Sequence, residues 1–300
     1  MRADLSSGCE SDRAIGPSPE ALADFQTAVT GHFREHGRDL PWRRTRDPYL
    51  ILVSEMMLQQ TQVARVIDKY GLFTRLFPTV ESLAAAPTAD VLRAWQGLGY
   101  NRRGLNLQRS AKLIVSEYGG SVPSAFADLL RLPGVGPATA AAVCAFAFGI
   151  PVPFLETNIR SAYIHHFFQE CSRVSDAELL PLVEATLDRD NPRDWYYALM
   201  DYGAWLKKVY PNPSRRSKHG ATQSPFSGSH RQLRAEILRV FLGLANDEPR
   251  GDAASGATVL TADDVVGLLP EWDAEEVRAA LDELTREGFL SGLEGLYRLR

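Results

Sequence analysis

Apolar residues spaced three or four apart, interrupted by glycine and proline, are the feature of this chain that most limits its fold. The pattern begins at Pro19, a suitable first residue of a helix, and continues through Leu22, Phe25, Val29 and Phe33. Such spacing places these side chains on one face of an α-helix. It predicts further helices over residues 48–76, 88–95, 103–117, 124–130, 137–148, 156–169, 176–187 and 194–209. Few segments alternate as strands do, so we predict an all-α body.

The pattern changes beyond Pro211. Residues 211–228 are rich in Pro, Ser and Gly, which is typical of a linker or surface loop. Helical stretches follow at 231–245 and 274–290, and alternation up to Arg300 indicates a two-stranded hairpin, as in a small winged-helix-like domain. We therefore predict a flexible N-terminal tail at 1–20, a helical domain at 21–210, a basic loop at 211–228 and a winged-helix-like domain at 229–300.

The charge is distributed unevenly, although the formal net charge is only −4. Residues 34–112 carry 13 Lys or Arg against 7 Asp or Glu, and residues 207–220 carry five basic residues and no acid. Residues 244–300 carry 5 basic and 13 acidic residues. A basic body favours a polyanionic partner, whereas the acidic end opposes the approach of phosphate.

The sequence gives no indication of a membrane, of export or of a bound metal. It contains no unbroken apolar stretch of about 18 residues, and its first residues lack the apolar segment of an export signal. Cys9, Cys144 and Cys171 have no CxxC spacing, and the histidines fit no ligand pattern such as HExxH. We expect a cytoplasmic protein without a metal site.

Residues 132–140, LPGVGPATA, combine a Gly-Val-Gly turn with the start of a small-residue helix. Glycine permits a positive φ, and the amides of a helix N-terminus can face a phosphate, although such a turn is more often a plain helix connection. Further segments accompany it: LPWRRTRDPYLILVSEMMLQQTQVARV, FPTVESLAAAP, WQGLGYNRRGLNL and ALMDYGAW. Over residues 25–206 the chain thereby resembles the helix-hairpin-helix DNA glycosylase superfamily, which includes endonuclease III and the MutY-like adenine glycosylases.

The resemblance implies a helix-hairpin-helix glycosylase fold of two helical subdomains with the active site between them. It also implies that Glu55 is the general acid that protonates adenine. Adenine is a poor anionic leaving group, so the chemistry itself requires a carboxyl that keeps its proton near neutral pH. The apolar neighbours Leu52, Val53, Met56 and Met57 would raise the pKa of Glu55 in that direction. The alternative is a solvated helix glutamate.

Glu156, in VPFLETNIR, stands where the family has an aspartate that stabilises positive charge on the sugar. One added methylene displaces that charge by roughly 1 Å, so the cleft must suit the longer side chain. The alternative is that Glu156 only caps the helix beginning near Thr157. The resemblance implies that Asn158 and Arg160 contact phosphate or DNA backbone. Arg160 could instead pair with an acid on a neighbouring helix.

Gln60 and Tyr100 match family residues that wedge into the duplex beside an extruded base, and Gly134, Val135 and Gly136 match the phosphate-binding hairpin. An enzyme that extrudes a base needs such fillers, because unstacking costs on the order of a few kcal/mol. The alternatives are an ordinary polar helix residue at Gln60 and a tyrosine at the edge of the core at Tyr100.

Some positions depart from the family. Endonuclease III has its nucleophilic lysine at the position of Ala138, whose methyl group cannot form a Schiff base, so we expect no strand-cleaving lyase activity. The four cysteine positions of the family's iron-sulfur cluster carry Lys207, Ser214, Ser217 and Gln223. Without thiolate ligands we expect no cluster and no other cofactor.

The basic loop at 207–220 is equally consistent with phosphate binding and with a soluble linker. We expect the family's C-terminal domain, which resembles the MutT fold, to be absent from this protein. Because the domain in its place is acidic, we expect it to pack on the catalytic body or to recruit a protein partner.

We therefore expect a monomeric, monofunctional DNA glycosylase of base excision repair, located in the cytoplasm at the nucleoid. Its expected partner is double-stranded DNA with a damaged or mismatched base, and the resemblance favours an A/G-specific, adenine glycosylase-like activity. One alternative is a glycosylase for another lesion, such as uracil, mismatched thymine or an alkylated purine. Another is a non-catalytic DNA-binding or partner-binding protein with a decayed site.

Overall fold

The computed structural model describes residues 16–218, 225–243, 258–293 and 295–300, and it confirms an all-α fold with a small C-terminal region. Up to residue 218 the helices are α1 (Pro19–His36), α2 (Pro48–Leu58), α3 (Val63–Leu76), α4 (Val80–Ala85), α5 (Thr88–Trp95), α6 (Arg102–Tyr118), α7 (Phe126–Leu129), α8 (Pro137–Phe148), α9 (Thr157–Phe167), α10 (Asp176–Thr186) and α11 (Pro192–Val209). Short 3₁₀ turns cover Pro41–Arg43 and Pro213–Arg216. The described helices are all too short or too polar to cross a membrane.

The helix predicted over 48–76 is wrong in one respect, because it is two helices, α2 and α3, joined by a turn. Gln60 lies in that turn with a φ of 54°, which no α-helix accommodates. The linking residues Gln59–Gln62 contain neither glycine nor proline, so the sequence offers no compositional signal for the break. Helix α4 was not predicted either, because its six residues are too few to show a helical period.

The C-terminal region consists of α12 (His230–Phe241), β1 (Leu260–Thr261), α13 (Ala262–Leu268), α14 (Ala274–Arg286), β2 (Leu290–Leu293) and β3 (Leu296–Leu299). The predicted hairpin is the antiparallel pair of β2 and β3, in which Leu290 lies opposite Leu299. Strand β1 adds a third, unpredicted strand on the other side of β3. Two residues cannot show an alternating pattern, which explains why β1 was missed. Helix α13 was missed as well, and it begins with a capping box of Thr261 and Asp264.

The described residues form two compact units, each assembled from separate segments of the chain. The first unit contains residues 16–55, 123–131 and 135–218. The second contains residues 56–122 and 132–134 together with the described residues from 225 onwards. Of the predicted tail and basic loop, residues 1–15 and 219–224 lie outside the described part. The domain boundaries at 20, 210 and 228 stay predictions.

The core of the second unit joins the C-terminal region to α5 and α6. Leu92 of α5 and Leu105 of α6 belong to the same buried cluster as Leu233, Leu281 and Phe289, and all five are at most 4% exposed. Burying such side chains contributes roughly 1.5–3 kcal/mol each. The C-terminal region therefore packs on helices that lie far before it in the sequence.

The first unit is organised around the close packing of α9 against α11. A Cβ atom added to Gly203 of α11 would lie 2.0 Å from the carbonyl oxygen of Asn158 in α9, so no larger residue fits there. On the far side of α9, the ring of Tyr163 lies 4.8 Å from that of Phe25 in α1. This packing fixes the N-terminal end of α9, which Glu156 precedes.

Candidate active site and nucleic-acid interface

Glu55 lies near the C-terminal end of α2, and the apolar residues Leu52 and Val53, which are at most 1% exposed, precede it in the same helix. Burial raises the pKa of Glu55 from 4.5 to about 8. The negative charge of Glu156 raises it as well, whereas the guanidinium of Arg43 lowers it. The side chain keeps partial access to solvent. A carboxyl in this environment holds its proton at neutral pH, unlike a solvated helix glutamate.

Arg43 is held rigidly on the first unit. Its two terminal nitrogens donate to the carboxylate of Asp201 at 2.8 and 2.7 Å, and its guanidinium lies 4.3 Å from the centre of the Tyr197 ring. Arg38 donates to the same carboxylate from its backbone N–H and its Nε. Although burial raises the pKa of Asp201, these hydrogen bonds hold it below its ordinary value. A fixed cation therefore stands near Glu55 and limits how far its pKa rises.

Glu156 is the N-cap of α9. Its Oε1 accepts hydrogen bonds from the backbone N–H groups of Asn158 at 2.8 Å and Ile159 at 2.9 Å, and its Oε2 accepts one from the side-chain amide of Asn158 at 3.2 Å. Capping, the alternative to catalysis at this position, is thus present. The two roles are compatible, because the cap fixes a carboxylate that also acts on Glu55 through its charge.

Lys207 of α11 interacts with the same carboxylate. Burial lowers the pKa of Lys207, while the charge of Glu156 raises it and that of Arg38 lowers it. The first unit therefore brings together Glu55, Glu156, Arg43 and Lys207 as two acids and two cations.

Arg160, which was predicted to contact phosphate or DNA backbone, forms an ion pair within the protein. Its Nε and Nη2 donate to the two carboxylate oxygens of Asp176 at 2.7 and 2.6 Å. Asp176 is the first residue of α10, so this is the alternative of pairing with an acid on a neighbouring helix. Asn158 is engaged by Glu156 as described. Neither arrangement tests whether these residues contact DNA.

The two glycines of the hairpin have different backbone conformations. Gly134 has a φ of 81°, and a Cβ atom there would lie 2.9 Å from the side chains of Asn106 and Met56, so glycine is required. Gly136, in contrast, is the N-cap of α8 and has a φ of −91°, which residues other than glycine also adopt. Val135 is buried at 7% exposure and belongs to the hydrophobic core. Ala138 is exposed in the first turn of α8.

Gln60 and Tyr100 are the two described non-glycine residues with positive φ, at 54° and 47°. Such conformations cost on the order of 1–3 kcal/mol and persist only when the surrounding structure imposes them. Both side chains are exposed, Tyr100 at 38%. The alternative of an ordinary helix residue is therefore wrong for Gln60.

Arg103 imposes both conformations, and sequence reasoning missed it. Its side chain is 8% exposed and donates to the carbonyl groups of Leu98 at 3.1 Å and Gly99 at 3.0 Å, next to Tyr100. It also donates to carbonyl groups in the turn that contains Gln60; these are the carbonyls of Met56, Met57 and Gln59. Burial lowers the pKa of Arg103 to about 10. The sequence signal that could have identified Arg103 is its place as the second of two adjacent arginines within a glycine-rich segment, GLGYNRRG.

The residues at the family's cluster positions do not fit an iron-sulfur cluster. Lys207, Ser214 and Ser217 carry no thiol, and Gln223 lies outside the described residues. The described part of this loop is held by hydrogen bonds instead. The backbone of Val174 pairs with the segment on both sides of Ser217, and Arg216 donates to the carbonyl groups of Phe168 and Gln169 at 2.6 Å.

The sequence of this chain matches a known protein family and several known proteins. The family described as HhH-GPD superfamily base excision DNA repair protein matches residues 53–183, a range that contains Glu55, Tyr100, the hairpin and Glu156. The chain is also 42% identical over 227 residues to an adenine DNA glycosylase of Mycolicibacterium smegmatis, covering 68% of this chain and 75% of that protein. It therefore belongs to the HhH-GPD superfamily of base excision DNA repair proteins.

Other relatives carry the same description. An adenine DNA glycosylase of Mycobacterium tuberculosis is 34% identical over 249 residues, covering 74% of this chain and 79% of the relative. One from Buchnera aphidicola is 32% identical over 186 residues, and this chain spans 53% of its length. The chain thus covers about three quarters of the mycobacterial proteins and about half of the Buchnera protein.

Solved structures agree on the fold. A thermostable thymine-DNA glycosylase is similar with a TM-score of 0.56 and 28% identity, covering 62% of this chain and 87% of that one. Endonuclease III in a trapped covalent complex with DNA gives a TM-score of 0.51 at 19% identity, over 70% of this chain and 92% of that one. The second likeness concerns the fold alone.

Proposed function

We propose that this protein is a monofunctional DNA glycosylase that excises adenine from double-stranded DNA. The observation that carries the proposal is the largely desolvated carboxyl of Glu55, whose pKa of about 8 leaves it protonated at neutral pH beside the carboxylate of Glu156. The adenine DNA glycosylases among the relatives support adenine as the base. We further propose that the protein acts as a monomer in the cytoplasm.

In the proposed reaction the adenosine nucleotide rotates out of the duplex into the site. Glu55 donates its proton to a ring nitrogen of adenine, the bond between that base and C1′ of the sugar breaks, and the base leaves as a neutral molecule. Glu156 stabilises the positive charge that develops on the sugar. Water then adds its hydroxyl to C1′ and gives its proton to the Glu55 carboxylate, which restores the acid and leaves an abasic site.

The longer side chain at Glu156 is accommodated by its own helix. Because Oε1 and Oε2 accept hydrogen bonds from Asn158 and Ile159, the added rotamer freedom of glutamate is removed. We propose that this cap sets the position of the charge. A Glu156→Asp variant should keep the cap but withdraw the carboxylate by roughly 1 Å, which predicts a rate about 100-fold lower. A rate equal to that of the unaltered protein would contradict the proposal that this cap sets the position of the charge.

The strained residues Gln60 and Tyr100 are proposed to occupy the space that the extruded base vacates. Their exposure and the rigid support from Arg103 favour this role, since a filler must resist the collapse of the stack. Gly134, the backbone of Val135 and Gly136 are proposed to face a phosphate at the start of α8. Asn158 and Arg160 stay predicted DNA contacts.

The proposal also depends on two kinds of side chain that the sequence lacks, a nucleophilic amine at position 138 and the thiols that would bind an iron-sulfur cluster. At Ala138 no amine is available to form a Schiff base, so we propose that the protein does not cleave the strand. The donor set at Lys207, Ser214 and Ser217 does not fit an iron-sulfur cluster, so we propose that the protein works without one.

The decisive experiment is a panel of duplexes that carry adenine opposite 8-oxoguanine, adenine opposite guanine, uracil, mismatched thymine or an alkylated purine. Each is incubated with the protein and divided into samples with and without alkali, because alkali cleaves abasic sites. We expect release of adenine, with strand breaks in the alkali-treated samples alone. Breaks without alkali would contradict the absence of lyase activity.

The matched variants are Glu55→Gln and Glu35→Gln. Glu35 lies in α1 with a side chain that is 77% exposed, so its substitution should leave the rate unchanged. Glu55→Gln should abolish adenine release while duplex binding persists. Undiminished turnover by Glu55→Gln would refute the proposed general acid.

A second candidate is the excision of mismatched thymine, which the 28% identity to a thymine-DNA glycosylase favours. The same panel separates the two activities. Adenine needs a proton to leave, so its release should depend steeply on Glu55, whereas thymine leaves more readily as an anion. Release of thymine by both the unaltered protein and Glu55→Gln would support this second candidate.

A further inference from the structure

The second unit contains a pocket of about 770 Å³ beside the two strained residues. One wall is formed by Gln60, Arg65 and the segment from Gly99 to Arg102. The other wall belongs to the C-terminal region and includes Phe226 and the first turns of α12. A region whose sequence predicts only packing or protein recruitment thus borders the residues that we propose to enter the duplex.

The pocket is basic, although the C-terminal region as a whole is acidic. Four arginines line it, Arg65, Arg102, Arg231 and Arg234, against the single carboxylate of Glu287. Arg234 is neutralised by ion pairs with Glu283 at 2.8 Å and Glu287 at 2.7 Å. Arg65 and Arg102 are exposed. The acidic charge of this region therefore does not prevent an anion from approaching at this place.

Arg231 connects the two walls. Its Nη1 donates to the hydroxyl of Tyr100 at 2.6 Å, and its guanidinium lies 5.6 Å from the centre of the Tyr100 ring. A guanidinium carries five N–H donors in a planar fork, which suits it to hold a phosphate as well as a hydroxyl. Phe226 adds an aromatic side chain that is 56% exposed. Arginines and exposed rings together match the backbone and the bases of a nucleic acid.

We propose that the C-terminal region is part of the DNA-binding surface, and that this pocket takes one nucleotide of the bound duplex. Arg231 and its basic neighbours hold the phosphate, while Phe226 and Tyr100 contact the base. The proposal rests on the proposed function, because it takes the protein to act on DNA. It also explains why an acidic region places arginines at the start of α12.

The test measures binding rather than excision. The probe is a short duplex that contains a tetrahydrofuran abasic-site analogue, which no glycosylase can hydrolyse. Dissociation constants are measured over a series of salt concentrations for the unaltered full chain and for Arg231→Ala, Phe226→Ala and Arg239→Ala. Arg239 is the matched control, an exposed arginine on the same helix that does not line the pocket.

For Arg231→Ala we expect the dissociation constant to rise about fivefold to tenfold, and the slope of log K against log salt to fall by about 0.9, the value for one lost phosphate contact. For Phe226→Ala we expect a loss of at least about fivefold with an unchanged salt slope, because a stacking contact carries no charge. Arg239→Ala should retain its affinity. Since the side chain of Phe226 is more than half exposed, its removal does not endanger folding.

Two results would overturn the proposal. One is duplex binding by Arg231→Ala and Phe226→Ala equal to that of Arg239→Ala, which would leave the pocket to a protein partner. The other is a salt slope for Arg231→Ala equal to that of the unaltered chain, which would show that Arg231 contacts no phosphate. Either result leaves the proposed function intact, since that function fails only if the unaltered chain releases no base from any duplex of the panel.

Discussion

Gly203 and Asn158 lie so close that a single methyl group at position 203 would lie 2.0 Å from the backbone oxygen of Asn158. This contact sets the spacing of α9 and α11, and with it the position of the Glu156 cap. Gly203→Ala should therefore force the helices apart and lower the free energy of unfolding by about 3 kcal/mol, at the upper end of what overpacking costs.

The matched control for that variant is Gly31→Ala in α1. A Cβ atom at Gly31 meets no atom within 4 Å, so alanine should stabilise the helix by about 1 kcal/mol. Urea unfolding of both variants measures the effect. Equal stability of Gly203→Ala and the unaltered protein would show that the two helices can separate without loss.

The raised pKa of Glu55 predicts a dependence of stability on pH. The folded protein keeps a proton that the unfolded chain releases between pH 4.5 and about 8, so stability is lost as the pH rises through this window. Glu55→Gln has no such proton. Its stability relative to the unaltered protein should rise by at most about 1.4 kcal/mol per pH unit across the window and then level off. Urea unfolding at pH 5.5, 7 and 8.5, with Glu35→Gln as the control, checks this, and a difference independent of pH would contradict it.

The same pKa predicts the alkaline limb of the reaction rate. A general acid works only while protonated, so the single-turnover rate of adenine release should fall about tenfold per pH unit above pH 8. The negative charge of Glu156 raises the pKa of Glu55, so Glu156→Gln should lower that pKa. The activity that remains in this variant should then begin to fall at a lower pH. A limb near pH 5 in the unaltered protein would place the acid elsewhere.

Substitution of Arg103 should loosen two separate turns at once. Lysine cannot reproduce its several directed donors, so Arg103→Lys should release both the Gln60 turn and the Tyr100 segment. Leaving those buried carbonyl groups without donors should lower the free energy of unfolding by about 3 kcal/mol. The exposed neighbour Arg102 lines the pocket, so the control is the equally exposed Arg93→Lys, which should change stability by less than about 0.5 kcal/mol. Hydrogen exchange at both turns gives the second measurement. Faster exchange at one turn alone would show that they are held independently.

The sequence predicted the helices well because most of them carry a clear apolar period. Helix α5, for example, was predicted at 88–95 and observed as Thr88–Trp95. The turn at Gln60 was not predictable, because a distant arginine imposes it and the local residues do not. The same reason explains why Arg43 and Asp201 were missed, since their importance lies in hydrogen bonds between residues 158 positions apart.

For Glu55, in contrast, the sequence predicted an important property of the site. Its apolar neighbours in the sequence were enough to predict the direction of its pKa shift, because burial is its largest cause. The opposing effect of Arg43 required the structure. At Glu156 the sequence offered two alternatives, and the structure contains the cap while leaving the catalytic role a proposal.

The shared core of Leu92 and Leu105 with Leu233 and Phe289 means that the compositional boundary near residue 229 does not separate two independently folding pieces. Removing the residues after that boundary would expose the apolar side chains that α5 and α6 contribute to this core. The shortened chain would therefore tend to self-associate. Helices α5 and α6 therefore depend on the C-terminal region to keep these side chains out of water.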